Sequence, residues 1–227
     1  VEQWDTENYG IYPGGSLFHT ASNEEDETSN VPPLYTKTWF HTGFYQQGGS
    51  ISQQYLSGYF QADPLAWLLP DTTLPAGLGA GEPREACRAL KGSMLRQEVY
   101  AHDGTALNDI PYTVTEKSFA LQRLQPKAEN QHAVFHTTES ETILYHYERN
   151  AADPRILHSL NIETDAFGNI TKSASVSYPR RVVPASLSEQ GELLVKYDEF
   201  SFIDQSLNTQ FYRHSVPWKK KSFQIHG

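Results

Sequence analysis

Apolar and polar residues alternate along most of the second half of the chain, and this period of two is typical of half-buried β-strands. The alternation and the turn-like residues that interrupt it predict strands at 99–102, 112–117, 119–124, 133–137, 142–148, 156–164, 170–178, 193–203 and 209–214. Between Ile156 and Tyr178, apolar side chains fall on even positions on both sides of a turn from Asp165 to Asn169, with three polar exceptions. That pattern indicates an antiparallel hairpin with one buried face. Because no helices separate the strands, we predict a mainly β fold built on an antiparallel sheet.

In the first half of the chain, the residue pattern predicts fewer strands and one or two short helices. Residues 34–45 are dense in β-branched and aromatic residues, which indicates another strand. Residues 82–96 carry a proline in their first turn and an apolar residue at every fourth position, so we expect a helix packed on the sheet. A second short helix is predicted within 50–60. The acidic segment 20–33 ends in two prolines and predicts a mobile loop. We expect residues 1–227 to form a single β-rich segment.

Composition narrows the possible functions. The chain has 227 residues, 38% of them hydrophobic, and a formal net charge of −9. Such a charge opposes the long-range attraction needed for nonspecific binding of nucleic acids or anionic membranes. We expect Lys219 to Lys221 to form a solvated tail. Cys87 is the only cysteine, which excludes an intrachain disulfide and a four-cysteine zinc site. No apolar run is long enough for a transmembrane helix.

Two motifs suggest chemistry, and each lacks a residue that the chemistry requires. The glycine-rich segment 77–81 precedes the predicted helix, where phosphate groups can bind, but Glu82 stands where a dinucleotide fingerprint needs glycine. His132 and His136 have the spacing of a zinc-binding pair on a helix. The local pattern, however, is that of a strand, and Ala133 replaces the glutamate of the zinc-protease motif. We therefore assign no catalytic, cofactor-binding or metal-binding residue.

Nucleophilic catalysis and sugar binding have weaker support than a structural role. No Gly-x-Ser-x-Gly motif is present, and Cys87 falls near the apolar stripe of the predicted helix, where we expect it to pack. The four tryptophans are spread without a repeat, which favours packing over a sugar-stacking face. Two functions stay open. We favour a non-catalytic structural and assembly module; the alternative is a carbohydrate-binding or glycoside-hydrolysing β protein with an exposed aromatic and converging carboxylates.

Three segments, taken together and in order, resemble a known family. They are 34–43 (LYTKTWFHTG), 69–72 (LPDT) and 84–100 (REACRALKGSMLRQEVY). They are similar to the middle and C-terminal regions of the B component of insecticidal toxin complexes. The opening 1–5 (VEQWD) looks like the residues that follow an Rhs-type strand there. The Asp165 to Asn169 turn, with Tyr178 downstream, resembles one unit of the Rhs/YD repeat. The resemblance covers most of residues 1–180.

The resemblance implies a role in a toxin shell. In that family, the B component and the Rhs-bearing C component form a hollow shell of spiralling β-sheet around a cytotoxic cargo domain. The implied partners are the rest of the B component and the C component, with only indirect contact to the A-component channel and none to nucleic acid or membrane. The resemblance also implies that this segment is secreted with the toxin, is not an enzyme and carries no cofactor. Val1 stands in place of an initiator methionine, and we expect a segment of a longer chain.

A shell segment needs long strands whose unpaired edges are covered by neighbouring segments. When such a segment is excised, its edges lose those neighbours. We therefore expect the isolated chain to self-associate or to cover its edges with its own loops.

Overall fold

The computed structural model describes residues 1–5, 34–183 and 187–225, so the predicted acidic loop 20–33 lies outside the described residues. Within them, two short 3-10 turns, at Leu56–Gly58 and Ser188–Gly191, accompany nine strands and one helix. The strands are β1 (Glu2–Asp5), β2 (Leu34–Phe40), β3 (Met94–Ala101), β4 (Thr113–Gln125), β5 (Val134–His146), β6 (Arg155–Thr164), β7 (Ile170–Ser177), β8 (Leu194–Ile203) and β9 (Val216–Ile225). The helix is α1 (Glu82–Ala89).

The nine strands form one sheet whose spatial order follows the chain from β1 to β9. Every neighbouring pair is antiparallel. The prediction of a mainly β fold on an antiparallel sheet is confirmed. The described strands lie in a single sheet rather than in the two packed sheets of a sandwich, and β1 and β9 are its edges.

The strands β4 and β5 are longer than the sequence pattern predicted. β4 joins the predicted strands 112–117 and 119–124, and β5 joins 133–137 and 142–148. Ser118 faces Glu141 whereas Phe119 faces Glu139, so Ser140 is the extra residue of a β-bulge. A bulge interrupts the period of two without ending the strand, which explains why each strand was predicted as two.

The predicted strand 209–214 is wrong, and Lys219 to Lys221 are exposed as predicted but lie in a strand rather than in a tail. Residues 209–214 belong to the connection between β8 and β9, and the lysines lie within β9. Cross-strand contacts with β8 hold them there. The Lys220 ammonium lies 3.3 Å from the Asp198 carboxylate and 5.0 Å from the centre of the Phe200 ring, and Lys221 lies 3.6 Å from Glu199. Opposite charges on facing strands make a lysine run compatible with a strand.

Both predicted helices are shorter than the apolar spacing suggested. α1 ends at Ala89 rather than Arg96, and residues 94–96 already belong to β3. The chain leaves the helix through Gly92, whose φ of +86° is left-handed and whose amide donates to the His41 carbonyl at 2.9 Å. The helix predicted within 50–60 is reduced to the 3-10 turn Leu56–Gly58, because the following Phe60 amide donates to a side chain of the sheet.

The β6–β7 hairpin closes through the predicted turn. The Asp165 carboxylate accepts a hydrogen bond from the Asn169 amide at 2.9 Å. Gly168 has a φ of +84°, and a Cβ at this position would lie 2.4 Å from His136 Nε2. Glycine is therefore favoured here both by the left-handed backbone and by the close approach of β5.

The connection between β2 and α1 crosses one face of the sheet. We call residues 50–72 of this connection the strap. Between it and the sheet lies a hydrophobic core whose buried members are Leu69 of the strap and, from the sheet and its connections, Val114, Ile143, Tyr145, Tyr147 and Ile156. Phe60 and Ala66 of the strap pack against this cluster. The strap thus takes the place of a second layer over the centre of the sheet.

Candidate functional site

The glycine-rich segment before α1 binds a carboxylate of the chain itself. Glu82 accepts hydrogen bonds from the amides of Lys127 (2.7 Å) and Gly79 (2.6 Å) and from the guanidinium of Arg123 (2.8 Å). The two amides contribute most to lowering the pKa of the Glu82 carboxyl. A phosphate at this place would meet that carboxylate. The segment therefore ties α1 to the β4–β5 hairpin.

The histidines that suggested a zinc pair do not converge. His132 Nδ1 lies 3.1 Å from the Glu85 carboxylate of α1, whereas His136 lies against Gly168 in the β6–β7 turn. His158 pairs with Glu141 at 3.0 Å. Among the residues that the structure describes, no cluster of three His, Cys, Asp or Glu side chains is arranged to hold a metal ion.

Two buried groups near α1 are uncharged at neutral pH. Burial raises the pKa of the Cys87 thiol, so this side chain is not an activated nucleophile. His41 is only 4% exposed, and burial lowers its pKa to about 4, an effect that Asp71 partly opposes. Its Nε2 has no hydrogen-bond partner among the described residues, and its ring lies 5.8 Å, edge-on, from the ring of Phe119. Both side chains contribute packing.

Three buried charges lie side by side under the strap. Arg96 on β3 donates to Glu98 at 2.7 Å and to Glu116 on β4 at 2.6 Å. Burial lowers the pKa of the Arg96 guanidinium, but the two carboxylates outweigh burial and raise it overall. Burial raises the pKa of Glu116. Two carboxylates around one guanidinium carry excess negative charge, which is costly in a buried place unless further donors are present.

The strap supplies those further donors from its own backbone. The Phe60 amide donates to Glu98 at 2.8 Å, and the Leu69 amide donates to Glu116 at 2.7 Å. The Tyr100 hydroxyl donates to the other oxygen of Glu98 at 2.6 Å. Each buried carboxylate is therefore satisfied by the sheet and the strap together, and the charges become the attachment points of the strap.

Two further contacts extend this attachment to β5 and to the C-terminal third of the chain. The Trp67 amide donates to the Tyr145 hydroxyl at 2.9 Å. Asp63 accepts a hydrogen bond from the Tyr147 hydroxyl at 2.9 Å and pairs through both oxygens with Arg181, each at 2.9 Å. These pairs are separated by 78 to 118 positions in the sequence. Sequence reasoning missed them, because no local pattern indicates pairs that lie so far apart in the chain.

An open cleft of about 220 Å³ beside the strap is the place where a sugar site would be expected. Tyr35, Tyr59 and Tyr100 line it, and the ammonium of Lys37 lies 5.5 and 5.2 Å from the ring centres of Tyr35 and Tyr100. Asp109 is the carboxylate among its described lining residues. The pair of facing carboxylates that glycoside hydrolysis uses is absent from this lining.

Comparison with known proteins identifies the family. Residues 85–222 match the family model described as insecticide toxin TcdB middle/C-terminal region. The chain belongs to this family. The resemblance to the toxin-complex B component noted in the sequence is thereby confirmed. No curated protein matches the chain.

Solved structures agree with this assignment. A crystal structure of TcdB2-TccC3 has 30% identity and a TM-score of 0.72 over 86% of this chain. A structure of the Photorhabdus luminescens Tc holotoxin pore has 28% identity and a TM-score of 0.71 over 86% of this chain. In both cases the chain spans about a tenth (10%) of the length of the matched chain. None of these comparisons supports the carbohydrate-binding alternative.

The two edges of this TcdB-family sheet differ. β1 is short, at 4 residues, whereas β9 has 10 residues that are all exposed. The first part of β9 carries Pro217 and three lysines, and both features oppose further strand pairing. The last part carries Phe223 and Ile225, which are 46% and 49% exposed. The end of β9 is therefore the part of this edge best suited to meet another strand.

Proposed function

We propose that this chain is a structural and assembly segment of a toxin-complex B component and forms part of the β-sheet wall that encloses a cytotoxic cargo domain. The observation that carries the proposal is the uninterrupted nine-stranded meander with a long exposed edge strand. Exposed edges invite pairing with other strands, and soluble proteins normally protect them. A wall built from several segments protects such an edge by joining it to the next segment.

The polar groups under the strap support a structural role. The charged groups of this network bind one another and the amides of the strap. Their side chains are at most 9% exposed; they are Arg96, Glu98 and Glu116. A catalytic site needs reactive groups that a substrate can reach. We infer that the segment has no enzymatic activity and needs no cofactor, and that residues 1–227 act as a single β-rich unit.

The partners follow from the relatives. The matched structures contain TcdB2 together with TccC3, or the Tc holotoxin pore. We infer that this segment contacts the rest of its own B component and a C component, and the A-component channel only indirectly. We infer no contact with nucleic acid or membrane, and secretion as part of the toxin. No helix among the described residues is long and apolar enough to cross a membrane.

Electron cryomicroscopy of the parent B component bound to its C component tests the proposal. We expect β3 to β9 within the shell wall, with another strand hydrogen-bonded to the free edge of β9. A map in which the segment projects outside the wall, or in which that edge faces solvent, would refute the proposal.

A pair of variants adds a biochemical test. Phe223→Lys places another charge on the edge strand and should lower the yield of the purified complex of B and C components, because a lysine there opposes strand pairing. Val182→Lys changes a side chain that is 63% exposed and lies outside the strands. This control should leave the yield unchanged, and equal yields for the two variants would contradict the edge role of β9.

A further inference from the structure

Over the last four strands, β6 to β9, the two sides of the sheet carry different kinds of residue. Residues that face each other on neighbouring strands point to the same side of a sheet, and so do residues two positions apart in one strand. The register aligns two rows on one side, with Ser159, Ser175, Lys196 and Gln224 in the first and Asn161, Ser173, Asp198 and Ser222 in the second. We call this side the hydroxyl face.

The opposite side of the same strands carries the large apolar residues. It includes Ile156, which belongs to the core between the sheet and the strap, and we call it the strap face. Alternation along β6 and the register across the strands give its other apolar members: Leu160, Ala174, Val176, Val195, Tyr197, Phe223 and Ile225. Hydroxyl and apolar residues are therefore sorted onto different sides of the sheet.

The charged groups of the hydroxyl face neutralise one another. The Asp198 carboxylate lies 3.0 Å from the ammonium of Lys196. It also lies 3.3 Å from the ammonium of Lys220, which shares this side of β9 with Ser222. Two cations and one carboxylate at such short distances leave no strong field of one sign on this face.

A broad, open trough of about 520 Å³ lies on the hydroxyl face. The lining residues that point to this side are Ser175, Ser177, Leu194, Lys196, Ser222 and Gln224; Val195 and Phe223 also line it but alternate towards the strap face. Leu157 and Leu194 flank Ser177 and are apolar exceptions at one end of the strands. At the other end, Phe200 lies 5.0 Å from the Lys220 ammonium. The middle of the trough is polar.

A wall that encloses a polypeptide has to face it without holding it. Polypeptides adhere to large exposed apolar surfaces and to unpaired strand edges. Serine side chains add little apolar area, so contact with them gains little from the hydrophobic effect. The middle strands β7 and β8 have a hydrogen-bonded neighbour on each side, so neither is an edge. The hydroxyl face therefore offers an enclosed polypeptide little to bind.

The strap face has the opposite character. Phe223 and Ile225 are 46% and 49% exposed at the end of β9. The strap itself exposes Leu65, Trp67 and Leu68 by 64%, 48% and 50%. An enclosed polypeptide, above all an unfolded one, would adhere to such side chains.

We propose that the hydroxyl face is the side of this segment that faces the enclosed cargo domain, as a surface of low adhesion, and that the strap face points away from the cargo. The inference rests on the proposed wall function and deepens it by assigning the two sides of the wall. It commits Ser159, Ser175 and Ser222 to the inner surface. It commits the strap, with Leu65, to the outer side.

Site-specific photo-cross-linking in the full-length B component bound to its C component tests this orientation. Ser175 and Val176 are a matched pair, because they are neighbours on β7 and point to opposite sides of the sheet. Each is replaced in turn by the photoreactive residue p-benzoylphenylalanine. We expect position 175 to cross-link to peptides of the cargo domain several-fold more efficiently than position 176. Equal yields, or a higher yield from position 176, overturn the inference.

Cysteine labelling tests the same orientation with smaller substitutions. Ser175→Cys and Leu65→Cys place a thiol on an exposed position of the hydroxyl face and of the strap, whereas the native Cys87 is buried. The reagent is a maleimide on a polymer too large to enter a closed shell, and mass spectrometry reads the peptide that carries each new cysteine. Relative to the urea-denatured complex, labelling at position 175 should be slowed several-fold more than labelling at position 65. Equal or reversed protection contradicts the assignment of the two sides.

The wall function is judged separately, from the position of β9 in the electron microscopy map. A segment that lies within the wall with its strap turned towards the cargo would leave the proposed function intact and end this inference. A segment outside the wall would end both.

Discussion

Replacing His41 with phenylalanine should make the fold more resistant to acid. The imidazole of His41 is buried, its Nε2 has no partner among the described residues, and its pKa is lowered from 6.5 to about 4. A lowered folded-state pKa means that the unfolded chain binds the proton more tightly. The stability that comes from the neutral His41 is therefore fully present above pH 6.5 and is lost as pH falls towards 4.

The size of this effect follows from the shift. Between about pH 7.5 and about pH 5, the linkage relation predicts that His41 removes about 2 kcal/mol of folding stability. Phenylalanine has no proton to bind and can keep the contact with the Phe119 ring. Its larger ring can cost about 1–3 kcal/mol by overpacking, but this cost does not depend on pH. The pH dependence, rather than the stability at one pH, is therefore the diagnostic quantity.

Urea denaturation of the 227-residue chain at both pH values measures this dependence. The drop in unfolding free energy on acidification should be smaller in His41→Phe than in the parent chain by about 2 kcal/mol. His102→Gln, which removes an exposed imidazole, is the control and should behave like the parent. Equal acid sensitivity of the parent and His41→Phe would refute the view that a buried neutral imidazole limits stability here.

Three further changes probe other contacts of the fold. Arg96→Leu should lower the free energy of unfolding in urea by about 3–5 kcal/mol, because it leaves two buried carboxylates without their cation. Lys117→Leu removes a partly exposed ion pair and should lower it by at most about 1 kcal/mol. Asp63→Asn should raise amide hydrogen exchange in the strap. It should also remove an acid sensitivity that sets in below the unfolded carboxyl pKa of about 3.9. In the fold, burial raises the pKa of Asp63, but its hydrogen bonds with Arg181 and Tyr147 outweigh burial and lower the pKa overall. Gly168→Ala should lower the melting temperature, because the left-handed backbone costs about 1–2 kcal/mol and the new Cβ collides with His136. In a His136→Ala background the collision is removed, and only the backbone strain should remain.

The period-two alternation predicted most of the sheet, and burial follows it in strands such as β4 and β6. The same alternation failed at β4 and β5, where the bulge at Ser140 shifts the pattern by one residue. It also failed at β9, where lysines pair with acidic residues of β8. In both places a contact with the neighbouring strand decides the local structure. Such a contact cannot be predicted from a short stretch of sequence.

The strap shows a different limit. The sequence predicted a short helix within 50–60 of the strap, but nothing local indicated where the strap amides would bind. The Phe60 amide meets Glu98 across 38 positions, and the Leu69 amide meets Glu116 across 47. Such contacts depend on how the chain returns across the sheet. The absence of a specific catalytic motif was readable in the sequence, whereas the buried ion network was not.

The buried charges under the strap determine its position more than they add to stability. Replacing a buried ion network with apolar residues is often neutral or stabilising in proteins. Apolar contacts, however, would let the strap slide at little cost. A shift of the strap by one residue would remove the Phe60 amide from Glu98 and the Leu69 amide from Glu116, and each buried carboxylate that loses a donor costs about 1–3 kcal/mol. The network therefore selects one register. In the proposed wall, that selection would present the same surface of the strap to neighbouring segments in every copy.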